Sequence, residues 1–413
     1  MMLAYTLSFI DRKLPFILAE SIKHDLQLSD TQLGLLTGGM FATVYAIAGI
    51  PLARLSDRSN RKNIISVAIV VWCGLTAMGG FARNFWQLAL CRMGVAVGEA
   101  GCTPAAHSII GSYFPPRYRS TAMGLYFVGA QLGILLGLAL GGVINDLADW
   151  RTAMFVLGAP GVLMAALVFF TVREPPRPPS PVVRDAAPEG VVAGVSIILR
   201  QKTVLHLLVA AMLFSIAGGG FQAFAPSYVI RTFDLSTSYV GVTYGAAMGL
   251  AGISGSILGG YLGDKLMRSE GGLWKSLMVM GVIVAVGSPF KFWAFFVDSY
   301  AMFLALIFIT QATTMTYGGP CIAALQSLTP PRLHALASAL YLVFATGMGN
   351  LIGPVFTGAM SDYLATQGVQ NTLRYSVGIV LLPLVWGAAH FALAGKSLRA
   401  RDLSAAKAAP AAT

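Results

Sequence analysis

Apolar runs of roughly twenty residues recur along the chain, separated by short polar breaks. A bilayer-spanning helix needs about 20 mainly apolar residues, and none of the runs alternates with period two as barrel strands do. The pattern predicts twelve spans, over 1–21, 33–54, 63–82, 85–112, 119–144, 152–172, 203–231, 237–262, 273–297, 299–327, 334–361 and 373–394. Between the sixth and seventh lies a loop holding Pro175, Pro176, Pro178, Pro179, Pro181 and Pro188, too rich in proline for a helix. The predicted organisation is a six-helix bundle over 1–172, a cytoplasmic linker over 173–202, a second six-helix bundle over 203–395, and a basic tail over 396–413 expected to be disordered. The run from Met1 reads as a span and not a cleavable leader, because Asp11-Arg12-Lys13 interrupts it. A longer native N-terminus, with a short cytoplasmic tail, is expected.

Composition supports lipid as the solvent for most of the chain. Hydrophobic residues make up 56% and charged residues 11%, with a mean hydropathy of +0.71, whereas soluble domains carry about 25% charged residues. The net charge of +11 would suggest nucleic acid in a soluble protein. Here it follows the positive-inside rule: about 19 of the 28 Lys and Arg fall on one set of alternate loops and about five on the other. Both termini and the linker are therefore expected in the cytoplasm, in a plasma or inner membrane. Cys73, Cys91, Cys102 and Cys321 all lie in apolar runs and read as small hydrophobes, not as disulfides or metal ligands.

The two halves repeat. Leu28-Ser29 and Gly34 recur as Leu235-Ser236 and Gly241, and Leu55-Ser56-Asp57-Arg58 recurs as Leu262-Gly263-Asp264-Lys265, both at an offset near 207. Pro115-Pro116-Arg117 recurs as Pro330-Pro331-Arg332, and Leu125-Tyr126 as Leu340-Tyr341, at an offset near 215. Paired six-helix repeats are one way in which carriers build a midplane site.

The stretch Leu55-Ser56-Asp57-Arg58-Ser59-Asn60-Arg61-Lys62 resembles the signature loop of the major facilitator superfamily, with Gly260-Tyr261-Leu262-Gly263-Asp264-Lys265 as its echo; Ala53 stands where a glycine is usual. Phe9-Ile10-Asp11-Arg12, Arg92 with Gly98-Glu99-Ala100, and Val172-Arg173-Glu174-Pro175-Pro176-Arg177 resemble the Spinster branch of that superfamily. The resemblance implies an all-α polytopic fold of twelve helices in two six-helix halves. It also implies a proton-coupled carrier of a lipid-like substrate such as a lysolipid or sphingoid phosphate.

Charges at membrane depth are costly, about 2.5–3.5 kcal/mol each on insertion scales, and mark function. Asp11, Arg12 and Lys13 sit in the first span, Arg92 and Glu99 in the fourth. Arg92 and Glu99 are seven residues apart and share a helix face, which Thr103 and His107 continue. Asp11 and Glu99 are the expected proton-coupling residues; Arg12, Arg92 and His107 are the expected substrate or charge partners. Lys13 is expected to snorkel toward an interface. Asp57, Arg58, Arg61 and Asp264 are expected to gate the cytoplasmic mouth, with Asp57 docking on a helix N-terminus.

The second half reads as polar but nearly uncharged, with Gln222, Gln311 and Asn350 among its polar groups. Gly218-Gly219-Gly220 with Pro226, and Gly318-Gly319 with Pro320, mark helices able to bend. Gly129, Gly133, Gly137 and Gly141 form a small-residue packing face. No phosphate-binding loop, metal spacing or nucleophile elbow is present, so an enzyme is not expected, nor a cofactor, metal or nucleic-acid partner. The expected partners are a small amphipathic substrate, protons and membrane lipids, and the expected state is a monomer. The alternatives are a drug or organic-anion carrier of the same superfamily, a non-transporting receptor, or a channel.

Overall fold

The computed structural model describes residues 1–175, 191–269, 271–330 and 333–408. The prolines from Pro176 to Pro188, and Pro331-Arg332, lie outside the described residues. Among the described residues every regular element is a helix, as a chain that must satisfy its backbone inside lipid requires.

The expected spans all appear, several in two pieces. The first span is Met2–Ile17 followed by Ala19–Leu26, parted at Leu18 just after Pro15. The second begins at Asp30, where Ser29 and Gln32 form a capping box, and contains a π turn at Leu35–Gly39. The third is Arg61–Gly79, the fourth Phe85–Tyr113, the fifth Pro116–Leu147. The sixth breaks ahead of Pro160, since proline removes a donor and clashes with the preceding turn. In the second half, Gly318-Gly319-Pro320 opens a new helix inside the tenth span. The seventh span instead remains one helix, Lys202–Phe233, despite Pro226.

Among the described residues, ten spans are long and apolar enough to cross a bilayer by length and composition. The two remaining helical stretches, 2–26 and 85–113, are those that carry Asp11, Arg12, Lys13, Arg92 and Glu99. Large apolar side chains point outward along the spans, among them Phe81, Trp86, Phe170, Ile257 and Trp386. Such a surface is tolerable only where lipid covers it.

Two details differ from expectation. Residues 191–200, inside the expected linker, form the helix Val191–Arg200, whose Ile198 joins a core with Val204, Leu208, Leu325 and Ala337. The tail expected to be disordered from 396 continues the last helix to Ala408, because Ala, Leu, Lys and Arg are strong helix formers.

By packing, the chain falls into two compact units that cut across its sequence halves. One comprises Met1–Pro181, Gly219–Leu250 and Asn350–Val377; the other comprises Val182–Gly218, Ala251–Gly349 and Gly378–Thr413. The first boundary in the seventh span falls inside Gly218-Gly219-Gly220. The first unit is cored by Ile65, Ile69, Trp72, Val95, Ile109 and Tyr126.

Candidate functional site

The first span is seated by the glycine face of the fifth. A methyl group added at Gly133 would lie 2.4 Å from Phe9 Cβ and 2.5 Å from the Thr6 carbonyl oxygen. At Gly137 it would lie 3.0 Å from Ile10 Cα, and at Gly129 2.6 Å from the Met2 carbonyl. Glycine therefore lets the two backbones touch, as the sequence spacing predicts. That contact fixes the rotation of the first span and turns Asp11 inward, where it is fully buried.

Around Asp11 a charged group assembles from the first and fourth spans. Arg12 Nε donates to Glu99 Oε2 in an ion pair. Glu99 and Arg92 are 1% and 4% exposed. Arg92 Nη1 donates to the Asp11 carbonyl oxygen at 3.1 Å, and Cys73 Sγ donates to Asp11 Oδ2 at 3.4 Å. Among the described residues, Asp11 Oδ1, Glu99 Oε1 and Arg92 Nε find no hydrogen-bond partner. Burying such atoms costs about 1–3 kcal/mol each or more, which a protein retains where protonation or ligand exchange uses them. The Phe41 ring centroid lies 5.5 Å from the Arg12 guanidinium and 5.1 Å from that of Arg92, and the Tyr45 centroid lies 4.9 Å from Arg12. Sequence reasoning missed this aromatic seat and the Cys73 contact, since isolated aromatics and a cysteine in an apolar run carry no signal of their own.

Lys13 does not reach an interface. Its ammonium donates to Gln222 Oε1 of the seventh span at 2.6 Å, with the Phe16 ring centroid 4.5 Å away. His107 packs edge-on against Tyr126 and Phe127, at 5.3 and 5.7 Å, with Nε2 unpaired, and so stands apart from the Arg12–Glu99 pair.

Of the expected gate residues, Asp57 and Arg58 end the helix Met40–Arg58, but their side chains lie outside the described residues. Arg61 is buried and gathers the end of its own half. It donates to Glu174 Oε1 at 2.7 Å, to Ser108 and Ser112 Oγ at 2.8 and 3.2 Å, and to the Pro175 carbonyl at 3.0 Å. Burial works against the Glu174 charge, but the bonds from Arg61 and from the Lys62 N–H hold its carboxyl below the usual range. Asp264 is exposed.

Carboxylates reaching from one span to the N-terminus of another, the kind of contact expected of Asp57, are found at the opposite end of the spans at Asp362 and Asp146. Asp362 accepts from the Asp30 and Thr31 N–H groups at 3.0 and 2.8 Å and from Thr31 Oγ1 at 2.5 Å, capping the second span. Asp146 accepts from the Ser238 N–H at 2.6 Å, capping the eighth. Asp30 is 3% exposed and also accepts from Lys23, from Ser361 Oγ at 2.6 Å, and from Arg231 at 3.0 and 2.8 Å. Arg231 in turn grips both Glu20 oxygens at 2.7 and 2.8 Å. Beside this cluster Asp25 accepts a hydrogen bond from Arg151.

The second packing unit contains two further polar pairs. Lys291, 1% exposed, donates to Gln311 Oε1 at 2.7 Å, so the second half is not as free of membrane-depth charge as its sequence suggests. His206 and His390 face each other with Nδ1 atoms 3.0 Å apart. All four cysteines are free, as expected.

Residues 1–354 match the family described as Major Facilitator Superfamily. An MFS-type efflux pump of Mycolicibacterium smegmatis is 35% identical, over 96% of this chain and 91% of that protein. The sphingosine-1-phosphate transporter of Danio rerio is 25% identical, over 92% and 79%. Among solved structures, a bacterial homologue of the human lysosomal transporter Spinster, in an inward-facing and occupied conformation, superposes with a TM-score of 0.83 at 30% identity, covering 96% of this chain and 95% of that one.

Proposed function

The chain belongs to the major facilitator superfamily, in its Spinster branch, and is a multi-pass membrane transporter; from that premise we propose that it is a proton-coupled secondary carrier of an amphipathic substrate with an anionic head. The observation that carries this reading is the group of buried Asp11, Arg92 and Glu99 with half-buried Arg12 on two adjoining spans. A carboxylate's proton affinity depends on whether an arginine stands beside it. A movement that separates Arg12 from Glu99, or Arg92 from Asp11, therefore binds or releases a proton. Asp11 and Glu99 carry the proton, with Arg12 and Arg92 as their internal counter-charges. The Danio rerio relative, a transporter of a phosphate-bearing lipid by name, supports the substrate class.

Transport proceeds by alternating access. The docked carboxylates Asp362 and Asp146, with the Asp30–Arg231 cluster, hold one mouth shut; the excess of basic loops at the other mouth makes the latched one extracytoplasmic. Asp57, Arg58 and Asp264 gate the cytoplasmic mouth, whose loop Arg61 fastens. The mycobacterial relative favours a second reading with the same machinery, an exporter of drug-like amphiphiles.

The test uses purified protein in liposomes with an imposed pH gradient and a single-chain phosphate amphiphile as substrate. Asp11→Asn and Glu99→Gln are expected to insert normally and to lose gradient-driven uptake. A wild-type response in both variants overturns the coupling assignment.

A further inference from the structure

Three cations and two carboxylates stand at the middle of the first and fourth spans: Arg12, Lys13 and Arg92 against Asp11 and Glu99. The cations outnumber the carboxylates by one, and the three differ in partner and in exposure. Arg12 is committed to Glu99, and its guanidinium is held among Phe9, Phe41 and Tyr45. Arg92 makes no ion pair among the described residues, but it is shut away at 4% exposed and bonded to the Asp11 backbone carbonyl, out of reach of a ligand. Lys13 is half-buried, and among the described residues no carboxylate pairs with it; its hydrogen-bond acceptor is the neutral amide of Gln222. An unbalanced cation at membrane depth is costly, and the amide offsets only part of that cost because it brings no opposite charge.

We propose that Lys13, with Gln222 as its resting partner, is the contact for the anionic head of the substrate, in place of Arg12 and Arg92. The inference rests on the carrier reading above and deepens it. Its chemistry requires a phosphate, or a carboxylate, whose oxygen takes the position of Gln222 Oε1 on the ammonium. Such an exchange replaces a neutral acceptor by a charged one, a gain of the charge-assisted kind. Gln222 lies two residues beyond Gly218-Gly219-Gly220 and four residues before Pro226. Releasing its bond to Lys13 frees the first span from the seventh, so arrival of the head group loosens a tie between the two sequence halves. A structural tether alone would account for the Lys13–Gln222 bond, but it would not distinguish a charged ligand from a neutral one.

The experiment compares affinities of the purified full chain for 1-oleoyl-lysophosphatidate, for 1-monooleoylglycerol, which has the same tail without the phosphate, and for inorganic phosphate. Wild type is expected to prefer the phosphate-bearing lipid. Lys13→Gln is expected to weaken that ligand by about tenfold or more, the size of a lost charge-assisted bond, and to leave monooleoylglycerol within about twofold. Lys13→Arg is expected to restore most of the preference. Equal losses for both lipids, or none, while Arg12→Ala removes the preference selectively, overturn the Lys13 assignment and leave the carrier reading standing. Binding of inorganic phosphate that depends on Lys13, without binding of either lipid, supports the anion contact and overturns the amphiphile.

Discussion

The junction of the second and eleventh spans and the junction of the fifth and eighth are built alike. A methyl group at Gly34 would stand 2.3 Å from the Pro354 carbonyl oxygen, and one at Gly241 2.3 Å from that of Leu138. A methyl group at Gly358 would stand 2.2 Å from the Asp30 carbonyl oxygen, and one at Gly142 2.4 Å from that of Thr237. Ser29 caps Gln32, and Ser236 caps Tyr239, each at 3.2 Å. Gln27 and Asp234 both turn the chain at φ 50°. The copies part most plainly in charge. Where the first has Asp30, the second has Thr237, which among the described residues receives Asn145 Nδ2 at 3.3 Å. Asp30 collects Lys23, Ser361 and Arg231 instead. Duplication thus preserved the backbone approach in both junctions, and the charge cluster resides in one of them.

Three changes test how far that likeness extends, read by spin-label distances across each junction at the latched end. The largest effect is expected from Gly34→Val and Gly241→Val, because the added atoms meet backbone that cannot yield. Overpacking costs about 1–3 kcal/mol, a roughly 5- to 150-fold shift toward separated spans, and it should be similar in the two variants. A large difference between them would deny that the junctions are equivalent. Arg231→Gln comes next, with about tenfold opening confined to spans two and eleven. It removes four charge-assisted bonds but leaves Asp30 with Lys23 and Ser361, and its partial exposure lowers their worth. Equal opening at both junctions would show that the cluster is not local. The smallest shifts belong to Asp362→Asn and Asp146→Asn, since a carboxylate at a helix N-terminus contributes about 0.3–1 kcal/mol. Asp362→Asn should exceed Asp146→Asn, as Asp362 accepts three bonds and Asp146 one.

Much of this architecture is legible in the sequence. Hydropathy marks ten spans clearly, the two charged ones being weaker, and the spacing of Gly129, Gly133, Gly137 and Gly141 announces the contact that seats the first. The charges of the first and fourth spans stand out because lipid makes each expensive. The latch was not read, since Asp146, Asp362 and Arg231 sit at span ends, where single charges are ordinary. The signal available was the repeat itself: Ser29 with Gly34, and Ser236 with Gly241, mark both capped ends and both close approaches. Lys13 was misread for a different reason. Snorkelling is what a lysine does when lipid is its neighbour, and only the tertiary structure supplies Gln222. Lys291 escaped notice because it sits among Phe and Trp near the end of an apolar run.

The Arg61 clamp bears on how the protein is made. Its partners Ser108, Ser112, Glu174 and Pro175 all lie before the second half, the last of them at the start of the proline-rich loop. The clamp can therefore close while the ribosome is still synthesising the second half, in keeping with the N-terminal-first folding of domains during synthesis. The latch at the other end must wait for Asp362, when nearly the whole chain has emerged. The first bundle is thus fastened early at one mouth and stays free at the other until its counterpart arrives, an order of assembly that keeps the nascent halves from locking prematurely.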